Sequence, residues 1–354
     1  MRPFEAEAVL GVRRRARETE ASDRQTIERL IAEAAPGMAD AELLAARILS
    51  CRDVTLNFHP DRFAANGKTV LENLLRDGLY QSQFVTGTSN GGRTAYPNGD
   101  RDVWEQRMFA GAYHCGELTY PYRPKYGALN LLNYADGASA RFGACFLTLK
   151  PRALNRCTFA YGDSSASPDT LGTADSFYGI VRAILSDVLK RRKLLNKPCG
   201  GVNEAIAYIA SLEQSAPCEI GRNMDDCVET HVHGDIRLAE DVACFFLDGS
   251  YRKTEIERQA EALCGRYGIQ LRWIPERRIR AEVIGNEFRG PAVPVLARKI
   301  VEKYSFADGH INAERIGRAS RDSMMRPEEW ADLGNEGEVF QFIKQLWHTV
   351  AVWG

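Results

Sequence analysis

The apolar positions along this chain change period several times, and the changes mark out its elements. Residues 1–50 carry them at helical spacing, with Ile27, Leu30, Ile31 and Ala34 on one face and then Leu43, Leu44, Ile48 and Leu49 on a second helix. Ser22 or Asp23 is placed to cap the first of these, and Pro36-Gly37 to break it. Val54–Phe58 reads as a short strand stopped by Pro60, Thr69–Asp77 as a helix ended by Gly78, and Gln81–Val85 as another strand. Phe142–Leu149 and Cys157–Tyr161 are strand-like and close together, which predicts a hairpin or meander. The strongest helical pattern spans Ala174–Leu195, with Phe177, Ile180, Val181, Ile184, Leu185, Val188 and Leu189 in phase. A helix over 201–213, a strand over 227–233, helices over 238–247 and 254–267 and a strand over Ile269–Ile274 follow. Beyond about residue 285 the pattern is mainly helical, ending in Val339–Val350. There is no internal repeat and no low-complexity segment. Strands gathered in the middle with helices at both ends predict an α+β protein.

Composition narrows the classes. At 354 residues, 44% hydrophobic and 26% charged, the chain has ample material for a core. Forty-six basic residues against 47 acidic ones argue against broad attachment to nucleic acid. The basic clusters Arg13-Arg14-Arg15 and Lys190-Arg-Arg-Lys193 adjoin helical apolar positions and read as solvated helix faces. No apolar run reaches the roughly 20 residues needed to span a bilayer, and the N-terminus lacks the apolar segment of a cleaved signal. The nine cysteines are odd in number, form no C-x-x-C pair, and read as buried thiols of a reducing compartment.

The candidate chemistry begins at Glu229-Thr-His-Val-His-Gly-Asp-Ile-Arg237. On a strand Glu229, His231 and His233 share one face, while Thr230 and Val232 point the other way into a core. A carboxylate beside two imidazoles suits acid/base work, a metal or charge stabilisation, and a plain polar strand face also fits. Earlier in the chain, Asn57-Phe-His-Pro-Asp-Arg62 leaves a strand at a rigid turn. Arg62 there suits either a phosphate or a structural ion pair, and His59 suits a satisfied polar role. Thr86-Gly-Thr-Ser-Asn-Gly-Gly92 opens a turn-rich stretch, Gly87–Asp102, whose backbone N–H groups can wrap an anion or simply form a loop. Tyr126, followed by Gly127, can stack on a planar ring with close backbone approach, or pack in the core. Two chemistries compete. A zinc site would use His231 and His233 with His59 or Glu229. A transfer through a cationic sugar would use Glu229 for the oxocarbenium, Arg62 for a pyrophosphate, and the loop or Tyr126 for the leaving base.

Several ordered segments together resemble a known family. They are Thr55-Leu-Asn-Phe-His-Pro-Asp-Arg62, Leu79-Tyr-Gln-Ser-Gln-Phe-Val-Thr-Gly-Thr-Ser-Asn-Gly-Gly92, Arg123-Pro-Lys-Tyr-Gly-Ala-Leu-Asn130, Arg141-Phe-Gly-Ala-Cys-Phe-Leu147, Arg156-Cys-Thr-Phe-Ala-Tyr-Gly-Asp163 and Glu229-Thr-His-Val-His-Gly234. Over roughly residues 50–300 the chain looks like a bacterial type III effector family, long carried as a domain of unknown function, that ADP-ribosylates ubiquitin on threonine. The resemblance implies a mono-ADP-ribosyltransferase core of two small packed sheets around an NAD+ cleft, with N- and C-terminal helices flanking it. It divides the chain into a helical segment 1–50, a core 51–285 with a helical insertion near 174–213, and a helical region 286–354.

What the resemblance implies for the site is Glu229 and His231 as catalytic residues. His59, Arg62, Thr86, Gly87, Thr88, Ser89, Tyr126 and Gly127 would lie around NAD+, with Ser139 a rival for the Ser/Thr position. Arginine-directed relatives carry Glu or Gln two residues before the catalytic Glu, whereas position 227 here is Cys. A neutral threonine acceptor does not require that residue, and His231 could then take the threonine proton. The implied partner is host ubiquitin, met by a monomer delivered into the host cytosol, with no metal, nucleic acid or membrane involved. A zinc-dependent hydrolase and a ubiquitin-binding module without catalysis are the alternatives.

Overall fold

The computed structural model describes residues 1–354 apart from 38, 52, 88–93, 212–217 and 223. Helix α1 runs unbroken over Pro3–Ala34, and α2 follows at Ala41–Cys51. Neither Ser22 nor Asp23 caps anything: Asp23 is a buried mid-helix residue paired with Arg182, so an ion pair explains a polar side chain that the sequence pattern offers as a cap. Strand β1 is Val54–Phe58. Helix α3, Val70–Asp77, begins in a capping box. The Thr69 hydroxyl accepts from the Glu72 N–H at 3.1 Å, and the Glu72 carboxylate accepts from the Thr69 N–H at 2.6 Å. It ends on Gly78, whose φ of +65° a side chain would resist.

Residues Gln83–Thr86 form one helical turn rather than the expected strand, with only Leu79–Tyr80 extended before it. Helix α4 is Asp100–Met108; its first turn carries Asp100 and Asp102, where the helix dipole favours acids. Strands β2 (Lys125–Leu129), β3 (Cys145–Leu149), β4 (Cys157–Tyr161) and β5 (Leu171–Thr173) come next. Helices α5 (Tyr178–Arg191) and α6 (Val202–Ala210) separate them from β6 (Val228–Val232) and β7 (Val242–Asp248). Then come α7 (Glu255–Tyr267), β8 (Gln270–Ile274), α8 (Ala292–Lys303), α9 (Ala313–Met325) and α10 (Glu336–Trp353).

The eight strands form one sheet in the order β8-β7-β3-β1-β2-β6-β4-β5, antiparallel throughout except for the parallel pair β7 and β8. The fold is α+β, but the core is this single sheet rather than two small packed ones. Strands β3 and β4 do not form a hairpin: β3 pairs with β1 and β7, and β4 with β6 and β5. The predicted helix over 238–247 is also corrected. Only Leu238–Asp241 is a helical turn, and Val242–Asp248 is a strand. Its near-continuous apolar run fits a strand paired on both sides, with α7 as the crossover to its parallel neighbour.

The larger apolar core runs from Ile27 to Val352 on the sheet face that carries Val228 and Val232, and a smaller one with Phe109, Tyr113 and Ala160 lies on the face of Glu229. The terminal helical regions therefore share the core of the central strands. Trp347 of α10 is fully buried and donates its Nε1–H to the Ala140 carbonyl at 2.9 Å.

Candidate functional site

Strand β6 lies between β2 and β4, and its register decides what surrounds Glu229. Ala128 on one side and Ala160 on the other sit directly opposite Glu229. Two methyl side chains leave space above the carboxylate that larger neighbours would fill. One step along the same face, Tyr126 and Thr158 flank His231. Val228, Thr230 and Val232 face the opposite side and are fully buried, as the alternation predicts.

The ionisable face of β6 is more buried than a half-exposed strand and is wired end to end. Tyr113 donates its hydroxyl to His233 Nδ1 at 2.7 Å. Thr158 Oγ1 lies 3.0 Å from His233 Nε2 and 3.0 Å from His231 Nδ1, and His231 Nε2 lies 2.8 Å from Glu229 Oε1. One assignment of protons that satisfies the row has His233 Nε2–H donating to Thr158, Thr158 donating to His231 Nδ1, and His231 Nε2–H donating to the carboxylate. Burial, with His231, Lys125 and Arg156 beside it, holds the pKa of His233 well below its ordinary value, which fits the neutral form. Phe109 closes the row edge-on to both rings, at 5.4 Å from His231 and 5.0 Å from His233.

Glu229 forms part of the wall of a cavity of about 430 Å³, within the range of small-molecule sites. The cavity brings together His59, Arg62, Thr86, Tyr126, Gly127 and Glu229 from segments far apart in sequence, and Ser139 reaches it as well. His231 and His233 do not line it. Each ring nitrogen of both has a protein partner, so neither the expected proton abstraction by His231 nor a zinc pair fits their placement. His231 instead holds Glu229. Gly87, at φ +61°, lines a neighbouring pocket of about 180 Å³ that Arg62 also touches. Thr88 and Ser89 lie outside the described residues.

Three expected contributions take a different form. Gly127 makes room for protein as well as cavity, because a Cβ there would meet the Thr55 carbonyl oxygen at 2.5 Å and Leu56 Cδ2 at 2.6 Å. Tyr126 donates its hydroxyl to Glu105 at 2.9 Å, and its ring is faced by the Arg101 guanidinium at 4.1 Å, so the ring already carries a planar partner. Arg62 is 5% exposed and donates to Asp61 at 3.3 Å, an ion pair that Tyr251 and Arg321 extend. It lines the cavity as well as making this ion pair.

The sequence reading missed the groups that α4 and α10 bring. Arg101 and Trp104 on α4, and Lys344 and His348 on α10, complete the wall. Arg101 is 9% exposed, and its Nε and Nη1 have no hydrogen-bond partner among the described residues; neither do Trp104 Nε1 and His59 Nδ1. Such unpartnered buried donors are costly unless something fills the cavity and accepts from them. Arg62, Arg101, Lys125, Arg141 and Lys344 supply five cationic side chains, against the carboxylates of Asp100, Asp163 and Glu229. The lining thus favours an anionic ligand presented to a single deep carboxylate. The signal for α4 was present in its acidic first turn after Gly99. That for α10 was not, because a terminal amphipathic helix says nothing about which cavity it covers.

The chain belongs to the family described as a protein of unknown function, DUF3626, whose model matches residues 53–353. That span takes in every strand of the sheet together with α10. No curated protein matches the chain.

Proposed function

We propose that this protein is a mono-ADP-ribosyltransferase that moves ADP-ribose from NAD+ to a threonine of ubiquitin. The observation that carries the reading is the cavity itself, whose wall holds Arg62 and further cations together with the buried carboxylate of Glu229. A dianionic diphosphate suits the former, and a ribose turning cationic suits the latter. The resemblance of the six ordered segments supports the acceptor. In the proposed step the bond between nicotinamide nitrogen and ribose C1 breaks, and nicotinamide leaves neutral with the bonding pair. Glu229 steadies the oxocarbenium, the threonine hydroxyl attacks C1, and its proton passes to the carboxylate. His231 fixes the direction in which that carboxylate points. Blocking ubiquitin in a host cytosol reached through a type III system belongs to the same proposal.

The test is the mass of ubiquitin after incubation with the protein and NAD+. A gain of one ADP-ribosyl group is expected, lost in Glu229→Ala with the far-ultraviolet spectrum unchanged. Unmodified ubiquitin would remove the acceptor. If no nicotinamide were released either, the whole reading would fall.

A further inference from the structure

Across His348 from the Glu229 cavity lies a second pocket of about 200 Å³, which the transfer chemistry does not use. Its rim is aromatic. Phe288 and Trp353 meet edge to face at 6.2 Å, yet they remain 40% and 43% exposed. The indole is seated by Gly221, at φ +79°, where a Cβ would stand 2.9 Å from Trp353 Cζ3. Exposed rings fixed together around a depression mark a ligand site, as singly scattered ones do not.

The same pocket holds three guanidinium groups, and one of them is idle. Arg222 is engaged by Asp136 at 2.8 and 3.0 Å, and Arg141 by Asp163 and Asp225. Asp225 is the one carboxylate in the wall among the described residues, and Arg289 makes no ion pair with any of them. Arg289 Nε is buried without a hydrogen-bond partner, and the guanidinium lies 4.7 Å from the Phe288 ring centre. His348, 6% exposed, backs the pocket with neither ring nitrogen partnered among the described residues. Buried polar groups of this kind are costly until a partner arrives.

We propose that this pocket binds a small aryl carboxylate, its acid group on Arg289 and its ring against Phe288 and Trp353. A guanidinium fork donates two parallel hydrogen bonds to a carboxylate, and one free positive charge matches that group rather than a dianionic phosphate. Two rings set at 89° to each other offer a third ring both a face and an edge. The volume lies below the range of drug-sized ligands, so it suits one ring with a short acid arm. Glu229 takes no part in this site, which does not rest on the transferase reading.

Calorimetric titration of the full chain with phenylacetate tests it. Binding is expected, weakened roughly tenfold or more in Arg289→Gln, the loss typical of a charge-assisted hydrogen bond. Phenylacetamide, which keeps the ring and lacks the charge, is expected to bind more weakly by a similar factor. The indole resonances of Trp353 are expected to shift as phenylacetate is added, while those of Trp104 in the main cavity stay in place. No binding, equal affinity in Arg289→Gln, or equal affinity for the amide would overturn the proposal. So would a shift at Trp104 instead of Trp353, which would put the acid in the main cavity. Tighter binding of a peptide ending in a free phenylalanine carboxylate would make the occupant a chain end and overturn the small acid. Phenylacetate binding alongside unmodified ubiquitin would remove the transferase reading and leave the pocket standing.

Discussion

His231 stands 2.8 Å from the carboxylate of Glu229, two positions along the same strand, and its ring never reaches the cavity. The pair acts as carboxylate and holder rather than as two groups facing a substrate. In His231→Phe the carboxylate loses its fixed donor while the cavity wall is unchanged. On the proposed transferase reading, turnover is expected to fall with little change in the KM for NAD+. A KM rise with turnover intact would mean that the imidazole touches the ligand after all.

Thr158 bridges two buried imidazoles through one hydroxyl. Thr158→Val keeps the shape and strands His231 Nδ1 and His233 Nε2 without partners. A loss of about 1–3 kcal/mol is expected in urea unfolding, with Thr158→Ser restoring most of it. Equal stability of the valine and serine variants would show that the row is not maintained by this hydroxyl.

Stability should fall with acid through His348. Its pKa is depressed in the folded state, from 6.5 to about 3, by burial and then by Arg289, Lys344 and Arg141. The unfolded chain therefore binds the proton first. The stabilising contribution is complete above pH 6.5 and is lost as pH falls towards 3, on the order of 4 kcal/mol at the bottom of that window. His348→Gln should flatten the slope of unfolding free energy between about pH 6.5 and pH 4.

Gly127→Ala is expected to damage the sheet before it damages binding. The new methyl would stand 2.5 Å from the Thr55 carbonyl oxygen, and β1 would have to move away from β2. An overpacking cost of about 1–3 kcal/mol should appear as a lower melting temperature. A variant that melts normally would return Gly127 to a role confined to the ligand.

Local periodicity reached some elements and not others, and the difference is physical. Val54–Phe58, Cys157–Tyr161 and the helix ending at Gly78 were legible because each is bounded by a residue with a steric reason to stop or turn the chain. Val242–Asp248 was not, because a short apolar run fits a buried strand and a buried helix equally, and only its pairing with β3 and β8 decides. The shared face of Glu229, His231 and His233 followed from alternation alone. That His231 points at Glu229 instead of the cavity depends on Thr158 and Tyr126, which arrive on neighbouring strands. The residues gathered at the cavity came from motifs read separately. The start of α4 was marked by its acidic first turn, but the cations of α10 escaped because nothing local marks a helix as a wall.

The burial of Trp347 against Ala140 has a consequence for how the molecule opens. An amphipathic helix laid on the outside of a sheet would ordinarily open and exchange its amide hydrogens early. Here α10 must pull an indole out of the core to do so, and its middle amides should exchange only with those of β1 and β3. The wall that carries Lys344 and His348 would then have the lifetime of the sheet itself.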